Sequence, residues 1–102
     1  MSTEITPLQP AVLITIIGES VLRDRLLKLL KSKGVTGYTV IDVQGEGGHG
    51  KRMGDIAGYN TNIEIKSVVS SEVSEDILLA IAQMRNGHAL IAFRQNVETL
   101  SE

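Results

Sequence analysis

The chain has 102 residues, of which 42% are hydrophobic and 22% charged, and its formal net charge is −2 at pH 7. This composition is typical of one globular domain, and the near balance of charges excludes a general attraction to nucleic acid or anionic membranes. The chain contains no cysteine, which excludes disulfides, zinc ribbons, iron–sulfur clusters and thiol catalysis. No apolar run reaches the length of a membrane span, and we expect a cytoplasmic protein without direct membrane insertion.

The first third of the chain predicts a strand followed by a helix. Residues 1–10 are polar and contain two prolines, which favours a flexible lead-in over a signal peptide. The β-branched run AVLITII at residues 11–17 is typical of a central strand buried on both faces, and Gly18 is expected to end it. Leucines at helical spacing predict a helix over residues 19–33, with Ser20 as its N-cap.

The remaining two thirds predict two strands, a second helix and a final strand. These elements are expected at residues 38–43, 62–70, 72–85 and 88–94. The resulting order β-α-β-β-α-β predicts an α+β, ferredoxin-like fold, in which both helices cover one face of a four-stranded antiparallel sheet. We expect this domain to occupy residues 11–97 and a polar tail to follow at 98–102. Because the other face of the sheet has no helix to cover it, an oligomer is expected.

The connection between the second and third strands, at about residues 44–61, holds six of the ten glycines. Its sequence QGEGGHGKRMG contains the spacings of the dinucleotide-binding fingerprint and of the P-loop. Neither motif is followed by the helix that it needs, so we reject both. Glycine-rich backbone can still bind anions, and Lys51 and Arg52 supply cationic donors for a phosphate. The alternative is a solvated loop whose basic pair binds nothing.

The side chains that catalysis or a metal would need do not form a recognisable pattern. His49 and His88 are the only histidines, and neither lies at metal-ligand spacing from acidic residues. We therefore predict no catalytic and no metal-binding residues. Tyr38 and Phe93 are too few aromatic residues for an RNA-binding sheet. A metallochaperone would need a Cys-x-x-Cys loop and an acylphosphatase an arginine-bearing loop after the first strand, which leaves the ligand-sensing ferredoxin-like modules.

Three stretches of the sequence carry a family resemblance. They are SKGVTGYTVIDVQGEG at residues 32–47, NIEIKSVV at 62–69 and HALIAFRQNVETL at 88–100. The chain resembles PII-type signalling proteins, and most closely the PII-like branch of carboxysome-associated proteins and bicarbonate-transporter regulators. The resemblance covers most of residues 11–100. It implies a homotrimer that binds adenine nucleotides in clefts between subunits, with the long loop, called the T-loop, engaging a target protein.

The resemblance also implies where the nucleotide-binding residues lie. By position they are Gly37, Tyr38 and Thr39 in the cleft, Lys51 and Arg52 on the T-loop, Gly87 and His88 before the last strand, and Arg94 as a further phosphate partner. PII proteins have a longer glycine-rich turn before the last strand, with a phosphate-binding lysine where this chain has His88. This departure favours ADP, AMP or a cyclic nucleotide over ATP with magnesium.

The expected function is therefore that of a non-enzymatic regulator. We expect it to bind ADP or AMP, with ATP and cyclic AMP as further candidates, and to sense bicarbonate. Its target would be a membrane transporter or a carboxysome-related protein, through which it would regulate inorganic-carbon uptake or carboxysome function. A PII-like sensor for a different target, a slow nucleotide hydrolase and a purely structural trimer remain as alternatives.

Overall fold

The computed structural model describes residues 7–45, 61–85 and 87–100. Its elements are β1 Leu8–Glu19, a 3₁₀ turn Ser20–Leu22, α1 Arg23–Ser32, β2 Thr39–Val43, β3 Asn62–Val69, α2 Ser71–Met84 and β4 Leu90–Leu100. The strands form one sheet in the order β2-β3-β1-β4, and every neighbouring pair is antiparallel. The predicted α+β, ferredoxin-like arrangement is confirmed.

The core lies between the helices and one face of the sheet. Alternate residues of β1 and β3 project into it, and α1 and α2 contribute residues spaced four apart, as amphipathic helices do. The central side chains are Ile14, Ile16, Ile63 and Ile65 from the sheet with Leu26, Leu30, Ile77 and Ile81 from the helices, all at most 3% exposed. Each buried side chain of this kind contributes about 1.5–3 kcal/mol. Both helices therefore cover the same face, as predicted.

Two strands are longer than the sequence analysis predicted. Residues 8–10, expected in a flexible lead-in, belong to β1, and they pair with residues 98–100 of β4, expected in a polar tail. Pro10 is compatible with this strand because β1 pairs with β3 only from Val12 onward. At Pro10 the strand therefore has a neighbour on one side only, which is where a sheet accepts proline.

Gly18 lies inside β1 and does not end it. It pairs with Ile63 of β3 on one side and with Leu90 of β4 on the other. A Cβ atom at this position would come within 2.6 Å of Leu90 Cδ1. Glycine is present because the buried Leu90 side chain packs directly over the β1 backbone.

The start of the first helical segment also differs from the prediction. Ser20 is not a helix N-cap, because a 3₁₀ turn begins at this residue and α1 begins only at Arg23. The Ser20 Oγ atom is buried and has no hydrogen-bond partner in the described part of the chain. By contrast, Ser70 caps α2 as serine commonly does, with its Oγ accepting a hydrogen bond from the Val73 N–H at 3.1 Å.

The second face of the sheet, which we call the open face, is covered by neither helix. Its four large exposed side chains, between 44% and 53% accessible, are Ile41, Val68, Ile91 and Phe93. Between them on β3 lie Glu64 and Lys66, whose carboxylate and ammonium groups are 3.3 Å apart. Neither helix in the described ranges is long and apolar enough to cross a membrane.

Candidate functional site

An open groove of about 630 Å³ lies where β3 meets the segment that joins α1 to β2. Its walls are residues 34–39 and 66–70, together with Leu13 and Val73. Three of the residues predicted to bind nucleotide, Gly37, Tyr38 and Thr39, therefore lie side by side in one concave surface. The groove is at an outer edge of the sheet, since β2 is an edge strand.

Two features of the chain shape this groove. Gly34 takes a positive φ of 88°, and this left-handed residue ends the α1 segment and turns the chain toward β2. The Ser67 hydroxyl then donates a hydrogen bond of 2.6 Å to the Gly37 carbonyl oxygen and fixes the segment against β3. Ser67 is buried and was not a candidate from the sequence, because a serine within a strand gives no sign of its distant partner.

Lys66 is a second residue of the groove that sequence reasoning did not identify. It is the only charged side chain among the described residues that line the groove. It pairs with Thr39 of β2, so its position on β3 lies beside the predicted Gly37–Thr39 segment. The alternation of β3 places Glu64 and Lys66 on one face, but the pairing of β3 with β2 could not be read from the sequence.

Gly87 and His88 lie at the other edge of the sheet, in the turn before β4. Gly87 has a positive φ of 78°, and the His88 N–H donates a hydrogen bond to the Arg85 carbonyl at 2.9 Å. The His88 Nδ1 atom is 3.5 Å from Oε1 of Glu19, a carboxylate that is nearly fully buried. One ring nitrogen of His88 thus faces Glu19, and the imidazole is about one-third exposed.

Arg94 is on the face of β4 that packs against the helices. Its Nη1 atom donates a hydrogen bond of 2.9 Å to Ser74 Oγ. Ser74 is completely buried in α2, and its hydroxyl in turn donates to the Ser71 carbonyl at 2.7 Å. In this single chain the guanidinium group of Arg94 therefore connects β4 to α2.

The predicted site residues form two groups that a single chain keeps apart. We call the groove segment Gly37–Thr39 the β2 half-site and the turn residues Gly87 and His88 the β4 half-site. Strands β2 and β4 are the two edges of the sheet, so three strand spacings, or roughly 14 Å, separate them. Lys51 and Arg52 lie outside the described residues. Within the described ranges, no three acidic or histidine side chains are grouped to hold a metal.

Comparison with known proteins identifies a family and solved relatives. The family model described as Nitrogen regulatory protein P-II matches residues 11–101. No curated protein shows significant similarity to the chain. A PII-like signaling protein from Thermus thermophilus is 32% identical, with a TM-score of 0.78 and coverage of 93% of this chain and 94% of that chain.

A second solved relative has bound ligands. CPII, a nitrogen regulatory PII-like protein from Thiomonas intermedia in a structure bound to ADP, AMP and bicarbonate, is 26% identical. Its TM-score is 0.77, and the match covers 90% of this chain and 97% of that chain. A further structure of CPII, bound to ADP and bicarbonate, is 26% identical with a TM-score of 0.78 and covers 90% of both chains.

Proposed function

Because the chain belongs to the nitrogen regulatory protein P-II family, we propose that it is a regulatory protein that binds adenine nucleotides between the subunits of a homotrimer. Proteins of this family are generally regulatory and non-enzymatic. One observation carries the proposal: the two half-sites lie at opposite edges of a single sheet. A nucleotide cleft that uses both must take one half from each of two chains.

A ring of three chains meets this requirement. If the β2 edge of each chain faces the β4 edge of the next, every edge is used once and the ring closes. Each interface then places Gly87 and His88 of one chain opposite the groove that contains Tyr38 and Thr39 of its neighbour. Three equivalent clefts result.

The open face supports association of several chains. Ile41, Val68, Ile91 and Phe93 are large apolar side chains exposed on this one face, and exposed apolar surface of this kind is typical of protein interfaces. Burial of these side chains between subunits would add hydrophobic stabilisation to the contacts at the sheet edges. The expected homotrimer thus accounts for both the apolar surface and the divided site.

The ligands proposed for the cleft are ADP or AMP, together with bicarbonate. The groove offers hydroxyl groups and backbone polar groups around residues 37–39, and Lys66 adds a positive charge. The relative CPII binds ADP, AMP and bicarbonate, which supports the same ligand class here. We further propose that Lys51 and Arg52 contact phosphates. Arg94 would be a further phosphate partner if its guanidinium group exchanged the hydrogen bond to Ser74 for one to the phosphate.

The regulatory output proposed for the protein is the control of inorganic-carbon handling. In this scheme the T-loop, at about residues 44–61, changes its conformation when a nucleotide is bound and then engages a transporter or a carboxysome-related target. The nucleotide can favour the ordered loop only by the difference in its affinity for the two states. Bicarbonate in the cleft would link this equilibrium to the carbon supply.

Calorimetric titration of the full chain with AMP, ADP, ATP and cyclic AMP, each with and without bicarbonate, tests the proposal. We expect one nucleotide per chain, with ADP or AMP preferred and affinity increased by bicarbonate. If bicarbonate does not change the nucleotide affinity, the carbon-sensing role is excluded and only the role as a nucleotide sensor stands. No binding of any nucleotide would overturn the proposed function, and product formation during prolonged incubation would identify a hydrolase instead.

A further inference from the structure

We propose that Lys66 binds an oxyanion of the ligand in the groove and that Glu64 competes with this oxyanion for the Lys66 ammonium group. The inference rests on the proposed function, because it names the regulation of the same cleft. Neither Lys66 nor Glu64 belongs to the sequence-predicted set of site residues, and both lie on β3.

The register of the sheet places Lys66 beside the β2 half-site. Lys66 pairs with Thr39 of β2 on one side and with Thr15 of β1 on the other. Its side chain is half exposed and lines the groove, where no other described residue carries a charge. A ligand in the groove that carries a negative charge would therefore find in Lys66 the only cationic lining residue among this chain's described residues.

Glu64 is the ion-pair partner of this ammonium group. The Lys66 Nζ atom is 3.3 Å from Glu64 Oε2, and the two residues lie two positions apart on the same face of β3. The Glu64 side chain is only 19% exposed whereas that of Lys66 is 50% exposed. The carboxylate is thus the fixed member of the pair, and the lysine, on a flexible four-carbon stem, is the member that can move.

In this arrangement the ion pair with Glu64 lowers the affinity of Lys66 for an anion. An oxyanion gains a charge-assisted hydrogen bond from Lys66 only if the ammonium group leaves Glu64 or divides its donors between the two. In either case the partly buried Glu64 carboxylate loses part of its electrostatic interaction with the Lys66 ammonium group. Removal of the Glu64 charge should therefore strengthen binding, and removal of the Lys66 charge should weaken it.

The proposed ligand chemistry is a compact oxyanion with delocalised charge. A nucleotide phosphate and bicarbonate both fit this description, and a neutral nucleoside does not. Titrations with ADP, with adenosine, and with bicarbonate in the presence of ADP distinguish the two sources.

The experiment compares Lys66→Met, Lys66→Arg and Glu64→Gln with the unmodified chain by calorimetry. Methionine keeps most of the aliphatic volume of lysine, so the fold and its packing should be preserved. Lys28→Met is the matched control, because Lys28 is an exposed lysine on α1 in the helical layer. Native mass spectrometry of every variant verifies that assembly is unchanged.

We expect Lys66→Met to weaken oxyanion binding by about tenfold or more. If the oxyanion is phosphate, the loss appears with ADP and not with adenosine; if it is bicarbonate, the loss appears in the effect of bicarbonate on ADP. Lys66→Arg should retain most of the affinity, and Glu64→Gln should raise it about two- to fivefold.

Different results would overturn the role of Lys66 and the proposed nucleotide cleft. If the unmodified chain binds ADP and Lys66→Met binds ADP, adenosine and bicarbonate as the unmodified chain does, the role of Lys66 is overturned while the nucleotide cleft stands. Weaker oxyanion binding in Glu64→Gln would overturn the role of Glu64 as a competitor. Failure of the unmodified chain to bind any nucleotide would overturn both.

Discussion

At Gly18 the absence of a side chain lets Leu90 close the core over the backbone of β1. An alanine Cβ there would come within 2.6 Å of Leu90 Cδ1, so Leu90 would have to move within a packed interior. We expect Gly18→Ala to lower the free energy of unfolding by about 1–3 kcal/mol, the usual effect of overpacking. Urea denaturation monitored by circular dichroism measures this difference.

Gly37→Ala is the matched control for this prediction. A Cβ at Gly37 would have no heavy atom within 4 Å, and the residue does not have a positive φ. Its stability should change by less than about 0.5 kcal/mol. In Gly18→Ala with Leu90→Val, the shorter side chain should recover part of the loss. Equal losses in the two alanine variants would show that contact with Leu90 does not explain Gly18.

The basic pair of the T-loop carries a second prediction at the residue scale. Lys51→Ala with Arg52→Ala should weaken ADP binding by about tenfold, because at least one charge-assisted hydrogen bond to phosphate is lost. The affinity for adenosine should not change. Lys28→Ala with Lys31→Ala removes an equal charge from α1 and serves as the control in the same calorimetric titrations. Unchanged ADP affinity in the T-loop variant would remove this pair from the site.

At the scale of elements, the two helical segments begin in different ways. Ser70 accepts the Val73 N–H and caps α2, whereas the Ser20 hydroxyl is buried beside the 3₁₀ turn without a partner among the described residues. We expect Ser70→Ala to lower the free energy of unfolding by about 1 kcal/mol. Ser20→Ala should be neutral or stabilising, because it removes an unpaired buried polar group. Thermal denaturation of the two variants compares their stabilities. A larger loss of stability in Ser20→Ala than in Ser70→Ala would contradict the prediction.

The elements themselves were predictable from periodicity, while several of their ends were not. The run 11–17 and the helical stripe of residues 72–85 each show their period within one short window. The pairing of residues 8–10 with 98–100 involves chain segments about 90 residues apart, and both are polar enough to read as tails. Ser20 has the residue type and the position of an N-cap, but only the three-dimensional contacts show a 3₁₀ turn at that point.

Some residues of the candidate site follow from the sequence, and others follow only from the pairing of the strands. Gly37, Tyr38 and Thr39 are predicted to bind nucleotide by family resemblance, and all three line one groove. Lys66 and Ser67 belong to that groove only because β3 pairs with β2 in a particular register, which local sequence does not specify. The separation of the β2 and β4 half-sites follows from strand order, a property of the whole sheet.

At the scale of the whole molecule, the open face should determine assembly. Phe93→Asp places a charge on that open face, where burial of an unpaired carboxylate opposes association. We expect the variant to dissociate to monomers, as measured by light scattering after size-exclusion chromatography. Leu79→Asp changes a more exposed apolar residue on α2 and should leave the assembly intact. A trimeric Phe93→Asp variant would exclude the open face as the interface.

The central claim is that each nucleotide cleft is formed by two chains, and a mixed trimer tests it most directly. Tyr38→Ala impairs the β2 half-site and His88→Ala the β4 half-site, so each homotrimer should bind ADP poorly. In a ring that mixes the two variants, one interface unites an intact β2 half-site with an intact β4 half-site. Native mass spectrometry of co-refolded, mass-labelled chains should then show one ADP on each mixed trimer. Mixed trimers that bind no more ADP than either homotrimer would contradict a cleft shared between chains.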